Sequence, residues 1–305
     1  MTETVQSQAG DIAARSPVMR LTPEGLRPYV SLARLDRPIG IWLLLLPCWW
    51  SVCLAGGGLE RWGLFVLFAV GAAAMRGAGC TINDIVDRNF DAKVARTAAR
   101  PIPSNAVGVE QAFLFLGVQL LIGLAVLLQF NVFSIALGAS SLVLVALYPF
   151  MKRITYWPQA FLGLTINWGA LMGWAAVHGS IGAAPLFLYA AGVFWTLGYD
   201  TIYAHQDRED DAMIGVKSTA LRFGARTRFW LIGLYGSTIL TLERAIDLST
   251  LGAAAHVGPA LGAAHLAWQI WRLDIDDPGG CLRLFKSNRD FGLMVFCGMI
   301  AGRYL

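Results

Sequence analysis

Long apolar runs, one after another with only short polar breaks, constrain this chain more than any other feature. They are roughly 15 to 25 residues long, and an apolar helix of about 20 residues crosses the hydrocarbon core of a bilayer. Breaking the sequence at charged or Gly/Pro positions gives nine candidate spans, at about 39–55, 62–82, 109–129, 131–150, 158–178, 182–203, 227–246, 250–271 and 290–304, the last being the shortest. Composition agrees: 56% of residues are hydrophobic and only 14% charged, where a soluble domain carries about 25% charged residues. The expected fold is an all-α integral membrane protein, a single polytopic domain over 1–305. A water-soluble globule and a single-anchor enzyme are both excluded.

The first 37 residues do not read as a cleaved signal, because Arg15, Arg20, Arg27, Arg34 and Arg37 are spread along them with no early apolar core. Residues 1–37 are expected to form a tail and a short interfacial segment. The five cysteines include no Cys-x-x-Cys pair, and Cys48, Cys53, Cys80 and Cys297 lie in apolar stretches, so small buried hydrophobes are expected rather than disulfides or a zinc site.

Charge placement orients the spans. With nine crossings, the N-terminal tail and the loops after spans two, four, six and eight share one side, and that side collects 20 of the 24 Lys and Arg. Arg61, Arg244 and Arg303 fall opposite, and Arg76 lies inside span two. Lys and Arg concentrate in cytoplasmic loops, so the N-terminus is expected in the cytoplasm. Carboxylates gather on the same side, which the orientation rule does not require.

Those carboxylates form two patterns. In Asn83-Asp84-Ile-Val-Asp87-Arg88-Asn89-Phe-Asp91, residues 83, 87 and 91 are four apart and line one face of a helix. In Asp200-Thr-Ile-Tyr203-Ala-His205-Gln-Asp207-Arg208-Glu-Asp210-Asp211, positions 200, 203, 207 and 211 share a face if the helix runs on past span six. Solvated loops have no reason to repeat carboxylates at helical spacing twice, nor to extend the pattern inward to Asn83 and Asp200 at the ends of apolar spans. Hard oxygen ligands of this kind suit Mg²⁺ shared with the phosphates of a substrate. Arg88, Lys152, Arg153 and Lys217 lie where a diphosphate needs cations.

The runs RGAGCTINDIVDRNFD (76–91), RPIPS (100–104), YPFMKR (148–153), YDTIYAHQDREDDAMIGVKST (199–219) and LDRPIGIWLLLLPCWW (35–50) resemble the UbiA superfamily of intramembrane prenyltransferases, over essentially the whole chain. The resemblance implies nine helices around a central cavity, with Mg²⁺ as cofactor. Asn83, Asp87 and Asp91 match the family's first motif, and Asp207 and Asp211 its second; these five are the implied metal ligands, and the four Asp the catalytic groups. The nearest branch implies transfer from polyprenyl diphosphate to the ring carbon ortho to the hydroxyl of 4-hydroxybenzoate, in ubiquinone biosynthesis. Asn83, Asp84, Arg88, Arg76, Lys152, Arg153, Asp200, Tyr203 and Lys217 are the expected substrate-binding residues. A multi-pass location in a bacterial inner membrane is expected, with association with other quinone-pathway proteins and no nucleic-acid partner.

Arg76 sits seven positions before Asn83, on nearly the same helix face and about 10 Å deeper, where a carboxylate-bearing acceptor offers a bidentate partner. A structural pair with Asn167 or Asp200 is the alternative. An aromatic residue such as Tyr203, Trp195 or Trp168 could face an allylic cation, although packing is the ordinary role of an aromatic here. The glycines of Arg76-Gly-Ala-Gly79 fit close helix packing, since no strand precedes them for a nucleotide site. His205 reads as a wet loop histidine. A CDP-alcohol phosphotransferase fails, because its motif begins Asp-Gly; a secondary transporter is disfavoured, because it keeps ionisable groups near mid-membrane, and a related prenyltransferase acting on another aromatic acceptor is the first alternative, separated only by the acceptor pocket.

Overall fold

The computed structural model describes residues 16–92, 97–208, 213 and 215–305, Phe90 by its backbone only. In chain order the helices are α1 Pro17–Leu21, α2 Arg27–Leu32, α3 Ile39–Leu54, α4 Trp62–Asp91, α5 Val109–Leu127, α6 Val132–Ile154, α7 Pro158–Ile166, α8 Gly169–His178, α9 Ala183–Ala204, α10 Thr219–Phe223, α11 Thr227–Asp247, α12 Val257–Arg272, α13 Pro278–Lys286 and α14 Asn288–Tyr304. Short 3₁₀ turns at Glu24–Leu26, Leu59–Arg61, His205–Asp207, Gly224–Arg226 and Ala253–His256 join some of them. No strand occurs among the described residues, so the all-α expectation holds.

Helix occupies each of the nine expected segments, and among the described residues four stretches are long and apolar enough to cross a membrane: Leu59–Asn89, Val109–Leu127, Val132–Ile154 and, as two consecutive helices, Pro158–His178. Ile39–Leu54 is apolar but shorter. Large apolar side chains on α5 and α6, among them Leu121, Leu142 and Val143, are more than half exposed, a surface suited to lipid and not to water.

Packing divides the chain into two compact units, Met1–Trp42 with Leu67–Gln129 and Leu43–Val66 with Phe130–Leu305. The core of the first is Leu32, Ala78, Ile85, Ile102, Val107, Ala112 and Leu116, covered by Tyr29 and Phe115. Thr81 Oγ1 donates to Gly77 O (2.9 Å) and Gln119 Oε1 (3.0 Å), tying α4 to α5. Gly77 permits this approach, since a Cβ there would lie 2.6 Å from Gln119 Nε2. Gly79, by contrast, faces open space, so the close-packing expectation holds for one of the two glycines.

In the second unit small residues again bring helices together. A Cβ at Gly173 would lie 2.5 Å from Cys48 O, and one at Gly298 would lie 2.5 Å from Gly258 N, so α8 meets α3 and α14 meets α12 backbone to backbone. Ser51 of α3 donates to Ala170 O and accepts from Trp174 N (2.8 Å). That bridge lies just past a break the sequence pattern did not show: the segment expected as one span over 158–178 is two helices, parted at Asn167 and Trp168. Interrupted backbone at membrane depth needs internal partners. Asn167 Nδ2 donates to Gly163 O (2.9 Å) and Thr196 Oγ1 (2.7 Å), and Trp168 Nε1 donates to Leu137 O (2.9 Å).

Candidate active site

The first acidic motif lies on α4, which stays helical through Asp91, so Asn83, Asp87 and Asp91 do fall on successive turns of one face. Asn83 is exposed, Asp87 half-buried and Asp91 buried. Asp84, one position off that face, has no exposed surface. Arg34 Nη2 donates to both of its carboxylate oxygens (2.7 and 3.0 Å), and Arg100 Nη1 donates to one (3.3 Å). Arg100 Nη1 also donates to Asp91 Oδ2 (2.9 Å), so one guanidinium links the buried carboxylate to the last member of the motif. Thr97 Oγ1 fixes the same helix end by donating to Asp91 O (3.0 Å).

Arg34 reaches Asp84 from an unusual backbone. Its φ is +57°, a left-handed conformation that non-glycine residues seldom adopt, at the turn that ends α2. Arg34 Nη1 donates to Ser31 O (2.9 Å), which together with the Asp84 contacts holds the turn. Arg76 is half-buried, with its guanidinium against Gly40, where a Cβ would meet Nε at 2.4 Å. Its Nε is buried without a hydrogen-bond partner. Arg88 is exposed, and its Nη1 donates to Ile85 O (2.8 Å).

The second motif is built differently. Its α-helix ends at Ala204 and tightens into the 3₁₀ turn His205–Asp207 before Arg208 is helical again, so among the described residues the helix expected to run on past span six is interrupted. Asp200, Tyr203 and Asp207 are half-buried. Asp211 lies outside the described residues, as does Asp210. Arg208 Nη2 donates to Asp276 Oδ1 (3.0 Å), across 68 residues of sequence. Lys217 N donates to Lys152 O (2.9 Å) and Lys217 Nζ to Ile154 O (3.1 Å), which brings two of the expected cations together; Lys152 and Arg153 are exposed.

His205 corrects the expectation of a wet loop residue, being 4% exposed. Its Nε2 is 3.0 Å from Thr227 Oγ1, while Nδ1 is buried and unpartnered. Burial, with the positive charge of Arg208 second, brings its pKa down to about 4. Cys48, Cys53 and Cys80 are buried as expected, whereas Cys297 is exposed because it lies on the outer face of α14. Among the described residues no three His, Cys, Asp or Glu side chains converge as a ready metal cage.

Arg34, Arg100, Asp276 and Phe285 escaped the reading of the sequence as site residues. Arg100 does open the RPIPS run, whereas nothing in the sequence marks Asp276 or Phe285.

The pattern of the UbiA prenyltransferase family matches residues 44–295. The mitochondrial 4-hydroxybenzoate polyprenyltransferase of Arabidopsis thaliana is 53% identical over 284 residues, 92% of this chain and 70% of that protein. The human protein of the same name is 53% identical over 290 residues, covering 93% of this chain and 78% of its own length. Among solved structures, an apo UbiA homologue from Aeropyrum pernix shares the fold at a TM-score of 0.69 and 23% identity, covering 85% of this chain and 97% of its own. A UbiA homologue from Archaeoglobus fulgidus bound to GPP and Mg²⁺ does so at 0.64 and 19%, covering 90% and 99%. The two named relatives are mitochondrial, in contrast to the bacterial inner membrane expected from the sequence.

Proposed function

The chain belongs to the UbiA prenyltransferase family, and from that premise we propose that it transfers a polyprenyl group from polyprenyl diphosphate to the carbon ortho to the hydroxyl of 4-hydroxybenzoate. The observation that carries this reading is the unbroken helix through Asn83, Asp87 and Asp91, which puts two carboxylates and an amide on one face, with Arg100 bonded to the last. The relatives named for this substrate are 53% identical over 284 and 290 residues, which favours this acceptor over other aromatic rings.

The donor set fits Mg²⁺, because carboxylate and amide oxygens are hard ligands of the kind that share this ion with water and substrate phosphate. Asn83, Asp87 and Asp91 in the first motif, and Asp207 and Asp211 in the second, would hold Mg²⁺, which when bound would offset the charge developing on the departing diphosphate. Arg88, Lys152, Arg153 and Lys217 supply further charge to diphosphate oxygens. The C–O bond breaks with its electron pair leaving on the diphosphate. The ring carbon ortho to the phenol hydroxyl then bonds to the allylic cation, and loss of the ring proton restores aromaticity.

Arg76 orients the acceptor. A guanidinium with a buried, unpartnered Nε suits the benzoate carboxylate, and Gly40 keeps room for it. Asp84 positions Arg34 and Arg100 from behind the motif. The Trp- and Phe-rich helices exclude water from the cation, and Tyr203 offers it an aromatic face. The N-terminus and both motifs are assigned to the cytoplasmic face of the membrane, and residues 1–305 to one functional domain.

Purified protein incubated with Mg²⁺, a prenyl diphosphate and a panel of aromatic acids tests the reading. Prenylated 4-hydroxybenzoate should form with Mg²⁺ and not with EDTA. Product in EDTA, or none from this acid while another is prenylated, refutes it.

A further inference from the structure

Asp207 closes a 3₁₀ turn that interrupts the α-helical course between Ala204 and Arg208. The helix that carries it has already tightened into a 3₁₀ turn, whose hydrogen bonds are poorer than those of an α-helix. Two neighbours of Asp207 nevertheless lean on a distant segment, residues 273–287. Arg208 reaches Asp276 at 3.0 Å. Four residues before Asp207, the Tyr203 ring lies against Phe285 of α13 with centroids 4.5 Å apart, and Phe285 also meets Tyr199 at 5.7 Å.

That segment is anchored independently of the motif. Cys281 and Leu284 bury one face of α13. Gln269 Nε2 donates to Ser287 Oγ (2.9 Å) and Leu284 O (3.3 Å), and the Arg228 guanidinium donates to Leu273 O. Asn288 Oδ1 accepts from Trp195 Nε1 (2.8 Å), while Asn288 Nδ2 donates to Leu284 O (3.2 Å). Both ends of α13 are therefore fixed by residues outside the acidic motif. The side chain of Asp276 is 73% exposed, so its bridge to Arg208 contributes little to stability. Its effect lies in where it holds Arg208.

We propose that residues 273–287 are a positioning element for the second acidic motif, with Asp276 fixing Arg208 and Phe285 fixing Tyr203 so that Asp207 between them keeps one orientation. This rests on reading Asp207 as a group that holds metal and diphosphate. Asp276 and Phe285 act through their neighbours and touch no substrate.

The test combines kinetics with amide hydrogen exchange on Asp276→Asn, Phe285→Leu and Phe285→Tyr. Asp276→Asn and Phe285→Leu should each raise the Mg²⁺ requirement and the apparent KM for prenyl diphosphate by about 10-fold, as loss of an outer support of a metal site does. The KM for the aromatic acid should stay put, and exchange over residues 199–208 of the metal-free protein should quicken. Phe285→Tyr keeps the ring and should behave as the parent. Exchanging the charges, Arg208→Asp with Asp276→Arg, should recover most of what Asp276→Asn loses. Unchanged exchange and kinetics in Asp276→Asn, a loss shared equally by the aromatic acid, or no recovery on charge exchange overturns the proposal. If the parent protein transfers no prenyl group, the functional reading fails instead, and the exchange measurement still decides whether residues 273–287 hold the motif.

Discussion

The two acidic motifs share a spacing in the sequence and differ in almost everything that holds them. The first rides an unbroken helix, with a fully buried carboxylate at Asp84 and two arginines stitched to it. The second sits where a helix gives way to a 3₁₀ turn, and the Arg208–Asp276 ion pair beside it is open to solvent at its carboxylate end. Carboxylate spacing sets where ligands can fall, and the supporting charges set how firmly they are held. The first motif is backed by a buried carboxylate with two arginines, whereas the second leans on a partly exposed pair to a segment 68 residues away.

Three substitutions test whether the motifs are equal in chemistry despite that difference. Asp87→Ala, Asp91→Ala and Asp207→Ala should each cut turnover by about 100-fold or more, the scale of losing one group that stabilises developing charge. Steady-state assays with the variants reconstituted in lipid measure this. Near-parent rates in any two would remove the carboxylates from the mechanism.

Stability should separate the two regions next. Asp84→Ala leaves Arg34 and Arg100 facing an empty buried site and should cost about 3–5 kcal/mol, whereas Asp276→Ala breaks an exposed pair and should cost at most about 1 kcal/mol. Unfolding in detergent compares them directly, and equal losses would erase the distinction.

A smaller effect is expected from Gly40→Ala. Its methyl would push on the Arg76 guanidinium, raising the KM for the aromatic acid by about 10-fold with little change for the prenyl diphosphate. An equal shift in both constants would show that Arg76 does not hold the acceptor.

The smallest effect concerns pH. His205 has a folded pKa of about 4 against an ordinary value of 6.5, so the unfolded chain binds more protons between those values. Its contribution to stability is complete above pH 6.5 and falls away as the pH drops toward 4. His205→Gln should flatten that part of the stability profile. An unchanged profile would mean that other groups carry the acid sensitivity.

Much of this was legible beforehand, for reasons that particular residues make plain. Asn83, Asp87 and Asp91 could be placed on one face because a four-residue repeat on a helix leaves little freedom. Helical segments were readable because apolar runs are the strongest signal a membrane chain carries. The break at Asn167 and Trp168 was hidden, since apolar character runs straight through it and the groups that satisfy it, Thr196 and Leu137, come from other helices. Arg34 looked like one of several arginines in a polar tail. Its pairing with Asp84 spans 50 residues and depends on a left-handed backbone that no spacing rule anticipates. His205 misled because it stands beside charged residues in sequence while Thr227 covers it in space.

The central claim is that both motifs serve one chemical event. The most direct measurement is the kcat/KM for prenyl diphosphate of Asp87→Ala, Asp207→Ala and the double variant, at saturating Mg²⁺ and 4-hydroxybenzoate. Groups that act as a unit lose far less together than the product of their separate losses. The double variant should therefore be about as impaired as the worse single one. Losses that simply multiply would mean that the two motifs act in separate steps, contradicting the account.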